Sequence, residues 1–156
     1  MNWAIYRIHY GTDFLEDSIN SIIDSVDKVF VIYSLNPWIV KDTVSYLGNE
    51  IPMPKLHEDV VSFMEKHYSD NKKVEWFNQE ASTPDNQFRN YYDICVEKQN
   101  FEPHTVLFIE PDMVYTKGDV DYLRKQLLFN TTPCLGTTQI ELWKWHRWRI
   151  PQRSRI

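Results

Sequence analysis

Residues 106–112 read Val106-Leu107-Phe108-Ile109-Glu110-Pro111-Asp112, an apolar run that stops abruptly at two carboxylates. Four consecutive apolar residues bounded by polar and turn-forming ones predict a buried strand. Side chains two apart at a strand end point the same way, which lets Glu110 and Asp112 converge on one cation. Hard oxygen donors at an open strand end suit Mg²⁺ or Mn²⁺ carrying a phosphorylated substrate. The same seven residues also fit two solvated acids in a turn helped by Pro111.

Outward from this stretch, strands and helices alternate. Trp3–His9 is rich in β-formers and predicts a first strand. Gly11-Thr12-Asp13 breaks it, and Thr12 or Asp13 is placed to cap a helix over 14–25. Glu16 and Asp17 fall in the favourable first turn of that helix, and Phe14, Leu15, Ile19, Ile22, Ile23 and Val26 form its apolar stripe. Lys28–Tyr33 is a continuous apolar strand. Residues 37–55 carry Pro37, Pro52 and Pro54 and no readable period, with a turn marked by Gly48-Asn49. Helical spacing returns over His57–Tyr68, Val74–Phe77 reads as a strand, and Thr83-Pro84-Asp85 opens a helix over 86–98. After the acidic pair come a short helix over 119–128 and a strand over 134–142.

This order predicts an α/β fold: a single domain over 1–142 with a mostly parallel sheet and helices on both faces, followed by a tail over 143–156. Ligands of such sheets bind beyond the carboxyl ends of the strands. His9, the Tyr10-Gly11-Thr12 turn, Ser34-Leu35-Asn36 and the acidic pair all fall at those ends. Arg89-Asn90 lies on the helix preceding the acidic strand. A guanidinium holds diphosphate oxygens and an amide bonds sugar or phosphate, while an exposed helical Arg is also an ordinary solvated residue.

Composition narrows the classes. The chain has 156 residues, 42% hydrophobic and 25% charged, which suits a globular domain with a sizeable core. Aromatics at 15% fit either rings stacked on a ligand or an aromatic core. The 4 glycines form no GxGxxG, GxxxxGK[ST] or GxSxG pattern, so a dinucleotide fingerprint, a P-loop and a nucleophile elbow are not expected. Cys95 and Cys134 lack metal or disulfide spacing, and Cys95 reads as a core residue. No apolar run approaches the ~20 residues of a membrane span, and no leader-like start is present, so a cytoplasmic location is expected. Residues 142–156 carry Lys144, Arg147, Arg149, Arg153 and Arg155 and no acid, leaving a net charge of -10 on residues 1–141. An acidic body argues against nucleic acid as a partner.

Together these segments resemble the GT-A-fold glycosyltransferases of the large family-2-like group. The likeness runs from about Ile5 to Trp143. Residues Ile5–Ile19 resemble that family's first strand, nucleotide-contacting turn and first helix, and Val26–Ile32 its second strand. Phe88-Arg89-Asn90 resembles the segment with its RN signature, and Val106–Asp112 its strand and DxD-type metal motif. The resemblance implies a Mn²⁺- or Mg²⁺-dependent transfer of sugar from a nucleotide-diphosphate sugar to a glycan, lipid or protein acceptor. It would make Asp112 the direct metal ligand and bring Glu110 to the ribose, or to the metal through water. Arg89 would face the diphosphate, and Tyr10 and Gly11 would flank the base.

The chain departs from the family pattern in three places. Tyr33-Ser34-Leu35-Asn36-Pro37 stands where an acidic, base-gripping segment is usual. The motif is EPD rather than DxD. The segment that normally carries the acceptor site and general base is short, leaving Glu141 as the late carboxylate for that role. The tail Leu142–Ile150 mixes Trp with Arg. It suits contact with an anionic membrane surface or a phosphate-bearing acceptor, and equally a last element packing Trp inward. A non-catalytic module with the same fold is the alternative reading.

Overall fold

The structure is a computed structural model, which describes residues 1–8, 12–34, 43–52, 57–80, 84–129, 140–143 and 148–151. The chain forms two compact units, Met1–Val120 and Asp121–Ile156.

In the first unit, β1 (Asn2–Ile8), β2 (Lys28–Tyr33), β5 (Val74–Asn78) and β6 (Thr105–Ile109) form a four-stranded sheet in the order β5-β2-β1-β6. All three pairings are parallel. This confirms the α/β architecture and is compatible with a Rossmann-like sheet. Apolar alternation along β1 explains its central position. Ala4, Tyr6 and Ile8 face one side, where α1 (Leu15–Ile22) and α2 (His57–Tyr68) pack. Trp3 and Ile5 face the other, against Tyr91 and Cys95 of α3 (Pro84–Gln99). Leu15, Ile19 and Ile22 of α1 are fully buried. Each such side chain contributes roughly 1.5–3 kcal/mol relative to exposure. Trp3 meets Phe30 and Phe101 edge-on at 5.1 and 5.3 Å, a favoured aromatic geometry.

The start of α1 differs from expectation. Neither the Thr12 nor the Asp13 side chain caps it; Phe14 is the N-cap residue without a side-chain bond, and the Leu15 N–H donates to the Thr12 carbonyl at 3.1 Å. At its other end the helix stops at Ile22, and Lys73 Nζ donates to the carbonyls of Ile23 and Val26 at 3.0 and 3.1 Å. A cation from outside the helix thus satisfies carbonyls at its negative end.

The unreadable segment holds a hairpin, β3 (Thr43–Tyr46) with β4 (Asn49–Pro52). Its two-residue turn is Leu47-Gly48, one position earlier than expected, with φ of 51° and 79°. Positive φ at both central residues is what the strand twist requires, and Gly48 takes one of them without strain.

Two buried hydroxyls and a carbonyl link β1, α1 and the segment after β6. Ser18 Oγ donates to the Met113 carbonyl, which uses its only proton. Tyr6 must therefore donate to Ser18 Oγ, at 3.1 Å. Burial pushes the Tyr6 hydroxyl well above the usual phenol range and Tyr68 up to about 12. Burial likewise pushes the Cys95 thiol up to about 12, in keeping with a core residue rather than a nucleophile.

The second unit contains the remainder of α4 (Lys117–Phe129) and a hairpin of β7 (Ile140–Trp143) with β8 (Trp148–Pro151). The strand expected over 134–142 is described only from Ile140. It pairs antiparallel with β8 as a separate two-stranded sheet rather than extending the parallel one, because the following residues fold back on it in register, Trp143 opposite Trp148. Among the described residues no helix is long and apolar enough to cross a membrane.

Ser18→Ala strands the Tyr6 hydroxyl in the core and is expected to cost about 1–3 kcal/mol, measured by urea unfolding. Tyr6→Phe should cost less, because Ser18 keeps its acceptor; equal or reversed costs would contradict the donor order. Tyr6 and Tyr68 both have folded-state pKa values above their unfolded value of about 10. Their contribution is intact below pH 10 and is lost as pH rises toward 12 and beyond. The urea midpoint should therefore fall between pH 10 and 12, and Tyr68→Phe should make that fall shallower.

Candidate functional site

The strand order reverses at β1: the chain first builds outward through β2 to β5, then crosses back by α3 to lay β6 on the other side of β1. The carboxyl ends of β1 and β6 therefore flank a topological switch point, where open α/β sheets bind ligands. The last pair in that ladder is Tyr6↔Ile109. One step further stand Arg7 and Glu110. Ile109 packs on the α1 side. Alternation then sends Arg7 and Glu110 together toward the α3 side. Arg7 Nη2 lies 2.8 Å from Glu110 Oε1, with 30% and 39% of the two side chains exposed. Tyr91 of α3 is close by. Its pKa is raised by burial, lowered again by Arg7, and raised by Glu80, which follows β5.

Pairing in β6 ends at Ile109, and the next four residues form a turn in which the Met113 N–H donates to the Glu110 carbonyl at 3.1 Å. Pro111 holds the second position, where its fixed φ is favoured, and Asp112 the third. Strand alternation thus stops short of Asp112, whose exposed side chain is set by the turn. The residues that follow are tied down. The Met113 carbonyl accepts from Ser18, and the Tyr115 N–H donates to Ser21 Oγ at 3.1 Å. Thr116 and Asp119 then form a reciprocal cap on α4: the Thr116 N–H donates to Asp119 Oδ2 at 3.0 Å, and the Asp119 N–H to Thr116 Oγ1 at 3.3 Å. Bonds from the Thr116 hydroxyl and N–H hold the Asp119 carboxyl below the usual range.

The residues expected at the site fare differently. Glu110 is at the switch point, engaged by Arg7. Ser34 is buried at the end of β2, its N–H donating to the Ile8 carbonyl at 3.2 Å. Arg89 is 87% exposed on α3, 3.9 Å from Asp93 one turn on, while Asn90 is half-buried. Tyr91 of α3 is within electrostatic reach of Arg7. His9, Tyr10 and Gly11 lie outside the described residues, as does the side chain of Glu141 on β7. Arg7 was not singled out by sequence. Its signal is a lone cation in the otherwise apolar run Trp3–Ile8.

The donor set bears on the metal expected from the motif. Among the described residues no group of three or more His, Cys, Asp or Glu side chains is placed to hold a metal ion. A dication bound to Glu110 would also lie near the Arg7 charge. At about 5 Å and an effective dielectric of about 20, their repulsion is about 7 kcal/mol before salt screening. The described residues therefore do not fit a metal at Glu110 while its bond to Arg7 stands; Asp112 remains an exposed carboxylate. No protein-family model matches the chain, and no curated protein matches it in sequence.

A double-mutant cycle on Arg7 and Glu110 should give a coupling of about 0.2–1 kcal/mol, the range for partly exposed pairs. Asp112→Ala should change stability by less than about 0.5 kcal/mol. A larger loss at Asp112 in chemical unfolding would mean that the turn depends on its carboxylate.

Proposed function

We propose that the chain binds a nucleotide-diphosphate sugar in the crevice between the carboxyl ends of β1 and β6, and that it acts as a GT-A-type glycosyltransferase or as the donor-binding domain of one. The observation that carries this reading is the coincidence of the EPD turn with the switch point of a parallel sheet. A diphosphate at such an edge needs positive charge and N–H donors, and Arg7 offers a guanidinium there. Ser34 closes the neighbouring strand end. Asp112 is the carboxylate left for a Mn²⁺ or Mg²⁺ ion that accompanies the donor, and such an ion would supply Lewis acidity at the leaving diphosphate.

The second reading, binding without turnover, draws support from the sequence, which leaves Glu141 as the late carboxylate for a general base. The acceptor, whether glycan, lipid or protein, has no recognition feature among the described residues beyond the Trp- and Arg-rich sequence of the tail.

Isothermal titration of the full chain with UDP and GDP, with and without Mn²⁺, tests donor binding. At least one nucleotide is expected to bind, and Asp112→Ala should remove any enhancement due to Mn²⁺. Absence of binding in every condition would defeat the proposal. Release of sugar from a bound donor, followed by chromatography, separates the enzyme from the non-catalytic module.

A further inference from the structure

The disagreement between the expected metal ligand and the observed ion pair leads to a reassignment. We infer that Arg7 is the resident cation of the crevice, contacting the donor's diphosphate directly, and that Glu110 is a positioning residue for Arg7 rather than a metal ligand. The inference rests on the nucleotide-binding reading above and names the group that would serve it.

The four strands of the parallel sheet contain only two basic residues, Lys28 and Arg7. Lys28 opens β2 at the amino edge, where Glu75 and the Lys72 carbonyl take its ammonium. Arg7 stands at the carboxyl edge, one residue before the end of β1, at the strand end where ligands bind. A charge on a central strand is costly to desolvate without a role or a partner. Its partner, Glu110, directly follows the neighbouring strand and lies at 2.8 Å. A carboxylate at that distance tethers one end of the guanidinium, and the 30% exposure of Arg7 leaves it within reach of a solute. Guanidinium groups bind phosphate oxygens through parallel N–H donors, a geometry that ammonium groups lack. Tyr91, kept neutral by burial beside Arg7, adds no negative charge that would oppose an anion.

The two roles for Glu110 predict opposite signs for one substitution. Glu110→Gln keeps an oxygen acceptor for Arg7 but removes a negative charge beside the phosphate site. If Glu110 positions Arg7, the variant binds UDP about three- to tenfold more tightly in EDTA. If Glu110 ligates a metal, the variant binds more weakly and only the Mn²⁺-dependent part changes.

The test is titration of UDP and GDP into wild-type chain, Glu110→Gln, Arg7→Lys and Arg7→Ala, each in EDTA and in Mn²⁺, with thermal midpoints to establish folding. Expected are metal-independent binding by the wild type, tightening in Glu110→Gln, partial loss in Arg7→Lys and at least tenfold loss in Arg7→Ala. Binding that requires Mn²⁺ and weakens in Glu110→Gln overturns this assignment and leaves the nucleotide reading intact. Metal-independent binding that ignores both Arg7 substitutions, or fails to tighten in Glu110→Gln, also overturns it. No binding by the wild type in either condition overturns both. Should Arg7→Ala not fold, the opposite-sign result at Glu110, where the acceptor oxygen is retained, still decides.

Discussion

The pairing of β1 with a parallel neighbour on each side is the constraint from which the first unit follows. A strand in that position has no free edge and two buried faces. Its odd and even residues must therefore satisfy two different environments. Ala4, Tyr6 and Ile8 meet α1 and α2, while Trp3 and Ile5 meet α3. Arg7 is the exception in the alternation, and it is tolerated because β6 delivers a carboxylate one register step beyond the last ladder pair.

The same register explains why the turn after β6 is so firmly placed. Tyr6 reaches across to Ser18, Ser18 to the Met113 carbonyl, and Ser21 to the Tyr115 N–H. Each group is satisfied by the next, so among the described residues no buried hydroxyl is left unpaired. A turn anchored to both β1 and α1 holds Glu110 and Asp112 in place. Trp3 Nε1 is the contrasting case: it is buried without a hydrogen-bond partner, and its ring is held by edge-on contacts instead.

Much of the element map was legible. Lys28–Tyr33 and His57–Tyr68 occur with the expected bounds, because a continuous apolar strand and an amphipathic helix each carry a distinctive period. The hairpin was not, since two strands of four residues each are too short to carry a period, and Leu47 is an unusual residue for its positive φ. At Asp112 the Pro111 turn, and not strand alternation, sets the side chain, because pairing ends at Ile109.

The amino-acid sequence by itself determined where the periodic strands and helices form, that they alternate, and that two carboxylates follow an apolar strand. These are local properties, encoded in side-chain period and turn chemistry within a few residues. Tertiary structure alone decided that β6 lies beside β1, and with it that Glu110 meets Arg7 across 103 positions of chain. Strand order depends on how helices cover both faces of a sheet, and no short stretch encodes it. The partner of a charged group at a strand end is accordingly a property of topology.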